Sequence, residues 1–467
     1  MNRFSSMLVT LSLIFTASAA NAFCGFYVAK GDTSLFNNAS KVVIAKDGER
    51  TVITMSNDYE GEAKDFAMVI PVPVALEKEQ VNVTENKIID HLDAYTAPRL
   101  VEYFDHDPCQ QMRVEAMSSV AMDGAAPRAM NVMRKSAKKL GVTIEKEYTV
   151  GEYDILILSA KQSDGLQTWL NQEGYKVPKK ARDVLSSYIK QGNKFFVAKV
   201  NLKEHAKNGG TYLRPIAVAF NSDKFMLPIR LGTVNAKDTQ ELFIFTLTKK
   251  GRVETTNYRT TKIPTGDEIP TYIKGEFDKF YPAMFNTAVK KEGMKTVFME
   301  YAWDMGWCDP CAADPLSTKE LQQLGVSWLN DTNPIAKPGM PAPMPRRMIM
   351  PRPGGGAQNV FVTRMHVRYN AENFPEDLKF QETSDRQNFQ GRYVLRHPFK
   401  GEASCEAGTQ YRKSLVERHE KEAKTLASLT GWDVNDIRAK MKDKGISFEA
   451  PTNAPNSAQW WKKLWKN

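Results

Sequence analysis

Runs of β-branched and aromatic residues, each closed by a turn signal, constrain this chain more than any other feature. "SKVVIA" (Ser40–Ala45) and "TVITMS" (Thr51–Ser56) flank "KDGER". Asp47-Gly48 suits a tight hairpin turn, so the two runs are expected to pair antiparallel. "FAMVIPVPV" follows as a buried strand; Pro71 and Pro73 alternate, so both missing N–H groups can face outward at a sheet edge. "YDILILSA", "KFFVAKVNL", "PIAVAF", "KFMLPIRLG", "TVFMEYAW", "FVTRMHVRY" and "QGRYVLRH" read as further strands. "ELFIFTLTKKGRVETTN" reads as a hairpin about Lys250-Gly251. Helical spacing appears between the strands. Leu166, Trp169 and Leu170 share one face of a helix opening at Ser163 and closed by Gly174. Ala181, Val184, Leu185, Tyr188 and Ile189 form the stripe of another, with Pro178 in its first turn. Near the end, Tyr411, Leu415, His419, Ala423 and Leu426 recur at helical spacing, and Asp433 caps a helix carrying Ile437 and Met441. The class expected is α+β: a β-rich body of mostly antiparallel sheets, interspersed helices and a helical C-terminal part.

The first 22 residues have the pattern of a secretory signal peptide. Arg3 is the basic flank, Met7–Thr16 the short apolar core, and Ala20-Asn21-Ala22 the small-x-small cleavage site. Cleavage there leaves 445 residues, 467 minus 22, with a formal charge of +9, the full chain's +10 less Arg3. Phe23 before Cys24 disfavours a lipoprotein cleavage. No later run approaches the ~18 apolar residues of a membrane span. The expectation is an exported protein, periplasmic or extracellular. Its basic charge suits an anionic envelope surface and not nucleic acid. The organisation expected is 1–22 leader, 23–109 strand-rich region, 110–139 Met/Ala-rich basic insert and 140–336 α+β region with a CxxC. After it come 337–356 as a Pro/Met/Gly-rich linker, 357–403 as a strand region and 404–467 as a helical region. "KPGMPAPMPRRMIMPRPGGG" in the linker is too rich in proline and glycine for regular structure.

Several long motifs point to relatives. "CGFYVAKGDTSLFNNASKVVIAKDGERTVITMSNDYEGEAKDFAMVIPVP", "APRLVEYFDHDPC", "TVGEYDILILSAKQSDGLQTWL", "EYAWDMGWCDPCAADPL" and "PEDLKFQETSDRQNFQGRYVLRHPF" resemble a bacterial exported family catalogued only as a domain of unknown function. The resemblance runs from about Cys24 to about Trp432. It implies an exported bacterial protein and no particular reaction.

Five cysteines follow the leader: Cys24, Cys109, Cys308, Cys311 and Cys405. Export favours disulfides, and two bridges among five cysteines allow fifteen schemes, five free thiols times three pairings. Cys24–Cys109 is favoured, since both lie in the first strand-rich region; its loop of about 86 residues would contribute roughly 4–5 kcal/mol. "WCDPC" has the spacing of a thiol–disulfide oxidoreductase. Such sites place the first Cys at a helix N-terminus. Here Ser317 and Glu320 form a capping box, so the helix is expected to begin after Ser317, beyond both cysteines. Asp309 between them would raise a thiol pKa. A structural turn or local disulfide is therefore preferred over thiol exchange or a metal half-site.

Other candidates are weaker. His397 and Cys405 could complete a zinc site with Cys308 and Cys311, though no spacing requires it. "DHDPC" (Asp105–Cys109) crowds a histidine between carboxylates but reads first as a turn. Met340, Met344, Met348 and Met350, with the methionines of 110–139, could hold Cu(I); flexible loop filler is the plainer reading. Trp460, Trp461 and Trp465 lie among lysines in "QWWKKLWKN" and suit a membrane interface, while docking on the protein's own core is at least as natural. Hydrolase and nucleotide-binding signatures are missing, and no cofactor is expected. The reading preferred is a non-catalytic exported binding or envelope-associated protein. Thiol–disulfide exchange at Cys308/Cys311 and copper handling are the alternatives.

Overall fold

The computed structural model describes residues 26–30, 36–60, 66–110, 142–173, 175–178, 180–207, 213–234, 238–307, 309, 314–329 and 358–448. Its first half runs β1 (Phe26–Lys30), β2 (Phe36–Asp47), β3 (Arg50–Glu60), β4 (Phe66–Val72), β5 (Val81–Val83), α1 (Asn86–Thr96), β6 (Arg99–Phe104), β7 (Val142–Val150), β8 (Tyr153–Ala160), α2 (Ser163–Gln172), β9 (Tyr175–Lys176), α3 (Ala181–Lys190), β10 (Lys194–Val200), α4 (Leu202–Lys207) and β11 (Ile216–Asn221). Then follow β12 (Met226–Leu227), β13 (Gln240–Thr248), β14 (Val253–Thr255), β15 (Arg259–Lys262), α5 (Phe277–Lys291), β16 (Thr296–Asp304), α6 (Thr318–Gln323), β17 (Phe361–Tyr369), β18 (Leu378–Glu382), β19 (Phe389–Gln390), β20 (Arg392–His397), α7 (Glu406–Thr430) and α8 (Val434–Asp443).

Two sheets dominate. One has six strands in the order β7-β8-β10-β4-β1-β9; the other has nine, β15-β16-β17-β13-β2-β3-β11-β5 with β19 against β16. Alternation along each strand makes both sheets apolar on both faces, so each must be covered twice. Ile44, Ile53, Met68, Ile155, Phe196, Val218 and Met365 pack between the sheets. Val69, Leu156 and Phe195 point the other way, onto Leu166 and Leu170 of α2 and Leu185 and Tyr188 of α3. The outer face of the nine-stranded sheet meets α1 and α6 through Val43, Phe245, Leu92 and Leu321. Further along that face it meets α5, α7 and α8 through Phe298, Phe285, Leu426 and Met441. The layers thus run helices, six-stranded sheet, nine-stranded sheet, helices. The class is α+β, as expected. Gly325 closes α6 at φ +95°, and a Cβ there would lie 2.4 Å from Val52, so glycine lets the helix end settle on the sheet.

Local signals mostly hold. β2 and β3 pair across Asp47↔Arg50 as a hairpin. α6 opens on the Ser317–Glu320 capping box, and Asp433 caps α8. Three local expectations are corrected. The run "FAMVIPVPV" is not an edge strand, because β4 lies between β10 and β1. Pro178 sits ahead of α3, its carbonyl accepting the Ala181 N–H. β13 and β14 do not form a hairpin. β13 is flanked by β17 and β2, which leaves no edge, and β14 pairs with β18.

Candidate functional site

At one end of the inter-sheet core, packing is incomplete and leaves a cleft of about 280 Å³. Its walls are Ile53 and Met55 of β3, Ile70 and Val72 of β4, and Val218 and Phe220 of β11. All are buried. Polar side chains appear at the mouth, as Gln191, Asn193, Asn221, Ser222, Asp223 and Lys224. The mouth is held in shape. Ser222 N–H donates to the Glu49 carbonyl at 2.9 Å, and Lys46 Nζ donates to the Ser222 carbonyl at 2.8 Å and to Thr51 Oγ1 at 2.9 Å. Burial pushes Lys46 below the usual lysine range, against the pull of Asp223 and Glu49. A preformed apolar cavity with a few polar groups at its rim is the ordinary form of a small-ligand site, and its volume lies near the ~300 Å³ lower end for such sites.

A second constellation holds the residue types of acid–base chemistry. On β17, Arg364, His366 and Arg368 alternate on the face toward α1 and α5. Glu300 joins them from β16, at a β-bulge where the register shifts between Met299 and Tyr301. The extra residue re-aims that strand. His366 Nδ1 donates to Glu300 Oε1 at 2.9 Å, and its Nε2 lies 3.3 Å from Glu241 Oε2. Its ring is stacked between Phe243 at 4.1 Å and Phe285 at 3.6 Å. Arg364 Nε donates to Glu300 Oε2 at 2.6 Å, and its Nη1 reaches Asp93, which also takes Lys41 at 2.8 Å. Tyr281 donates to Glu300, and Arg368 to Glu241 and Asn286.

Electrostatics fix the protonation states. Burial raises Glu300, but Arg364 and His366 outweigh it and hold the carboxyl below its usual value. Burial lowers His366, but the carboxylates of Glu300 and Glu241 prevail and raise it. With an acceptor at each ring nitrogen, His366 is an imidazolium. Burial likewise opposes ionisation of Glu241, yet His366 and Arg368 bring it to about 2. Lys41, Arg364, His366 and Arg368 therefore face Asp90, Asp93, Glu241 and Glu300, four charges against four. Glu300 and His366 are 0% and 1% exposed. A neutral cluster whose centre at Glu300, His366 and Arg364 is closed to solvent, and whose rim at Asp90, Asp93, Lys41, Glu241 and Arg368 is partly exposed, ties helices to a sheet.

Comparison with known proteins now places the chain. Residues 18–381 match a family described as an uncharacterized protein conserved in bacteria, DUF2330. The chain belongs to that family. The DUF2330 match ends at residue 381, short of the Trp432 to which the quoted motifs extend. No curated protein and no solved structure matches. Both the cleft and the Glu300–His366 cluster fall inside the DUF2330 part. α7, α8 and Cys405 fall beyond it.

The residues singled out in the sequence are only partly brought together. Cys109 pairs with Cys405, Cα atoms 6.0 Å apart, and not with Cys24 as expected. The reason is a two-stranded parallel ribbon. β6 lies beside β20 in register, Arg99↔Arg392 to Phe104↔His397, so both chains leave it at the same end. Cys405 is thereby removed from any site with Cys308 and Cys311. His397 is engaged elsewhere, with Glu102 at 2.8 Å and stacked on Phe104. In "DHDPC", Asp105 accepts from Tyr411 at 2.6 Å and Arg418 at 2.7 Å, and Asp107 Oδ1 accepts the Cys109 N–H at 2.9 Å. Cys24, Cys308, Cys311, Met340, Met344, Met348, Met350, Trp460, Trp461 and Trp465 lie outside the described residues. Among the described residues, no group of three or more His, Cys, Asp or Glu is arranged to hold a metal, and no helix is long and apolar enough to cross a membrane. The cleft had no sequence signal, because its walls come from strands far apart in the chain. The charged cluster had one, the alternation "RMHVR".

Proposed function

We propose that this chain is an exported, non-catalytic binding protein whose ligand is a small apolar molecule, or an apolar group of a larger one, seated in the inter-sheet cleft. The observation that carries the reading is the contrast between walls and mouth. The walls offer only hydrocarbon and thioether, which reward burial of apolar surface at about 25 cal/mol per Å². The mouth offers neutral amides, the Ser222 hydroxyl, which accepts the Lys224 N–H, and one charge of each sign, Asp223 and Lys224, which suits a polar but uncharged or zwitterionic end. Chemistry is not favoured there, since the walls contain no nucleophile or acid–base pair. The leader sequence supports export, and the basic charge supports residence near anionic envelope surfaces.

The test uses the purified full chain and the apolar fluorophore N-phenyl-1-naphthylamine. Saturable, blue-shifted emission with one site per chain is expected. Val218→Trp, which fills the cleft, should abolish it. Val74→Trp at the exposed mouth should weaken it without altering the fold, read by circular dichroism. Unchanged binding in both variants would refute the cleft as the site. Turnover of a cleft-bound compound would refute the non-catalytic reading.

A further inference from the structure

We propose that the Cys109–Cys405 bond is a directional thiol-exchange site: a dithiol reductant attacks Cys109, Cys405 leaves, and the first half of α7 undocks. This goes beyond the cleft and does not depend on it.

The two sulfurs differ in access and surroundings. Cys109 is exposed and Cys405 half-buried. Cys405 is the N-cap of a 25-residue helix, and its Sγ accepts the Gly408 N–H at 3.2 Å. A Cβ at position 408 would lie 2.3 Å from the Ala403 carbonyl oxygen, so glycine is what lets that N–H approach. A thiolate released at Cys405 keeps this donor and the positive end of the helix dipole. The Arg412 guanidinium, bonded to the Ala403 carbonyl and to Thr409 Oγ1, adds a positive charge close by; Glu402 and Glu406 oppose it in part. Cys109 has the reverse setting. Its N–H is bonded to the Asp107 carboxylate, which places a negative charge beside it and makes its sulfur the poorer leaving group.

The step balances without any further reactant. One thiolate of the dithiol attacks Cys109 Sγ. The Cys109–Cys405 bond breaks as the mixed disulfide forms, and Cys405 carries away the electron pair. The second thiol then attacks the reductant's own sulfur in that mixed disulfide and releases Cys109. Two electrons and two protons pass from the dithiol, which ends as a disulfide.

What opens is set by where apolar packing begins. No apolar side chain of Glu406–Arg418 is buried, whereas His419, Ala423 and Leu426 are, and the last two pack with α5 and α8. The first half of α7 is held by the disulfide, by Tyr411 and Arg418 on Asp105, and by the bond from Phe399 N–H to Tyr411 Oη at 2.8 Å. Segments with few buried apolar contacts open first.

Two measurements on the full chain decide the matter. Treat it with limiting glutathione, a monothiol that halts at the mixed disulfide, quench with iodoacetamide, and map the peptides. Glutathione on Cys109 with carbamidomethyl on Cys405 should exceed the reverse by about tenfold. Equal or reversed labelling overturns the direction. Then follow amide hydrogen exchange after reduction, beside the Cys109→Ser/Cys405→Ser variant, which removes only this bond. Both should lose protection over residues 406–418 and keep it over 419–430. Retained protection at 406–418 in the double variant, or equal loss along all of α7, overturns the undocking.

Discussion

Two of the charge clusters among the described residues are built differently. Around Glu300 and His366, strands at fixed register and two covering helices supply four cations for four anions. Where α7 meets β6 and β20, Arg396 and Arg418 face Asp105, Glu268 and Glu422. That is two cations for three carboxylates. Arg418 Nε, Arg418 Nη2 and Glu422 Oε1 are buried without a hydrogen bond, and the Arg418–Glu422 separation of 3.7 Å is too long for one. The cause is local. Arg418 Nη1 is committed to Asp105 at 2.7 Å, which leaves its Nε 3.7 Å from Glu422. Burial, with Glu268 and Asp105 adding repulsion, overrides Arg418 and Arg396 and pushes Glu422 up to about 7. One cluster pairs each of its charges; the other resolves its surplus by keeping a proton.

Arg364→Met should produce the largest effect. It leaves buried Glu300 with only His366 and Tyr281 and half-buried Asp93 with only Lys41, and breaking such a buried pair costs about 3–5 kcal/mol. Urea denaturation at pH 7 reads it. A loss under about 1 kcal/mol would mean that the network adds nothing to the sheet–helix contact.

Glu422→Gln should act in the other direction. The folded protein holds the Glu422 proton to about pH 7, while the unfolded chain releases it near the ordinary 4.5. The folded state binds more protons in that window, so stability falls as pH rises through it. Glutamine removes the penalty. The variant should match the parent at pH 4 and exceed it at pH 8 by up to about 3 kcal/mol. His366 contributes a separate limb. Its folded pKa is raised, so its stabilisation is complete below about 6.5 and is lost as pH rises through the folded value. Denaturation midpoints across pH should therefore flatten between about 4.5 and 6.5 in the variant and still decline at higher pH. A variant profile parallel to the parent's would contradict the surplus charge at Glu422.

The two clusters also mark how far the sequence could be read. Hairpin β2–β3, the capping box at Ser317 and the Asp433 cap depend on neighbours a few residues away, and all were visible. Lys250-Gly251 has the local form of a hairpin turn, but β13 has partners on both edges, β17 and β2, which no residue near the turn reveals. Charges alternating through "RMHVR" normally mark a solvent face. They are buried here because Asp93 on α1 and Tyr281 on α5, distant in sequence, cover them. The disulfide depends on a parallel pairing of residues 99–104 with 392–397, which leaves no local trace. The cleft is a packing shortfall between strands of two sheets, and no residue type announces a void.

Arg418→Met gives the smallest change and the sharpest comparison. It deletes a buried cation, as Arg364→Met does, but from a cluster whose bonds are incomplete. Asp105 keeps Tyr411 and lies 3.7 Å from Arg396. The loss of one charge-assisted hydrogen bond costs about 1.5–3 kcal/mol, and release of two unsatisfied donors returns part of it, leaving about 1 kcal/mol at pH 5, where Glu422 is protonated. At pH 8 the cost should grow, because Arg418 is then the cation nearest the ionising Glu422. Introducing Glu422→Gln alongside should erase that growth and leave the pH 5 cost unchanged. If Arg418→Met instead matched Arg364→Met at every pH, the orphaned atoms of Arg418 would have partners after all, and the difference between the two clusters would vanish.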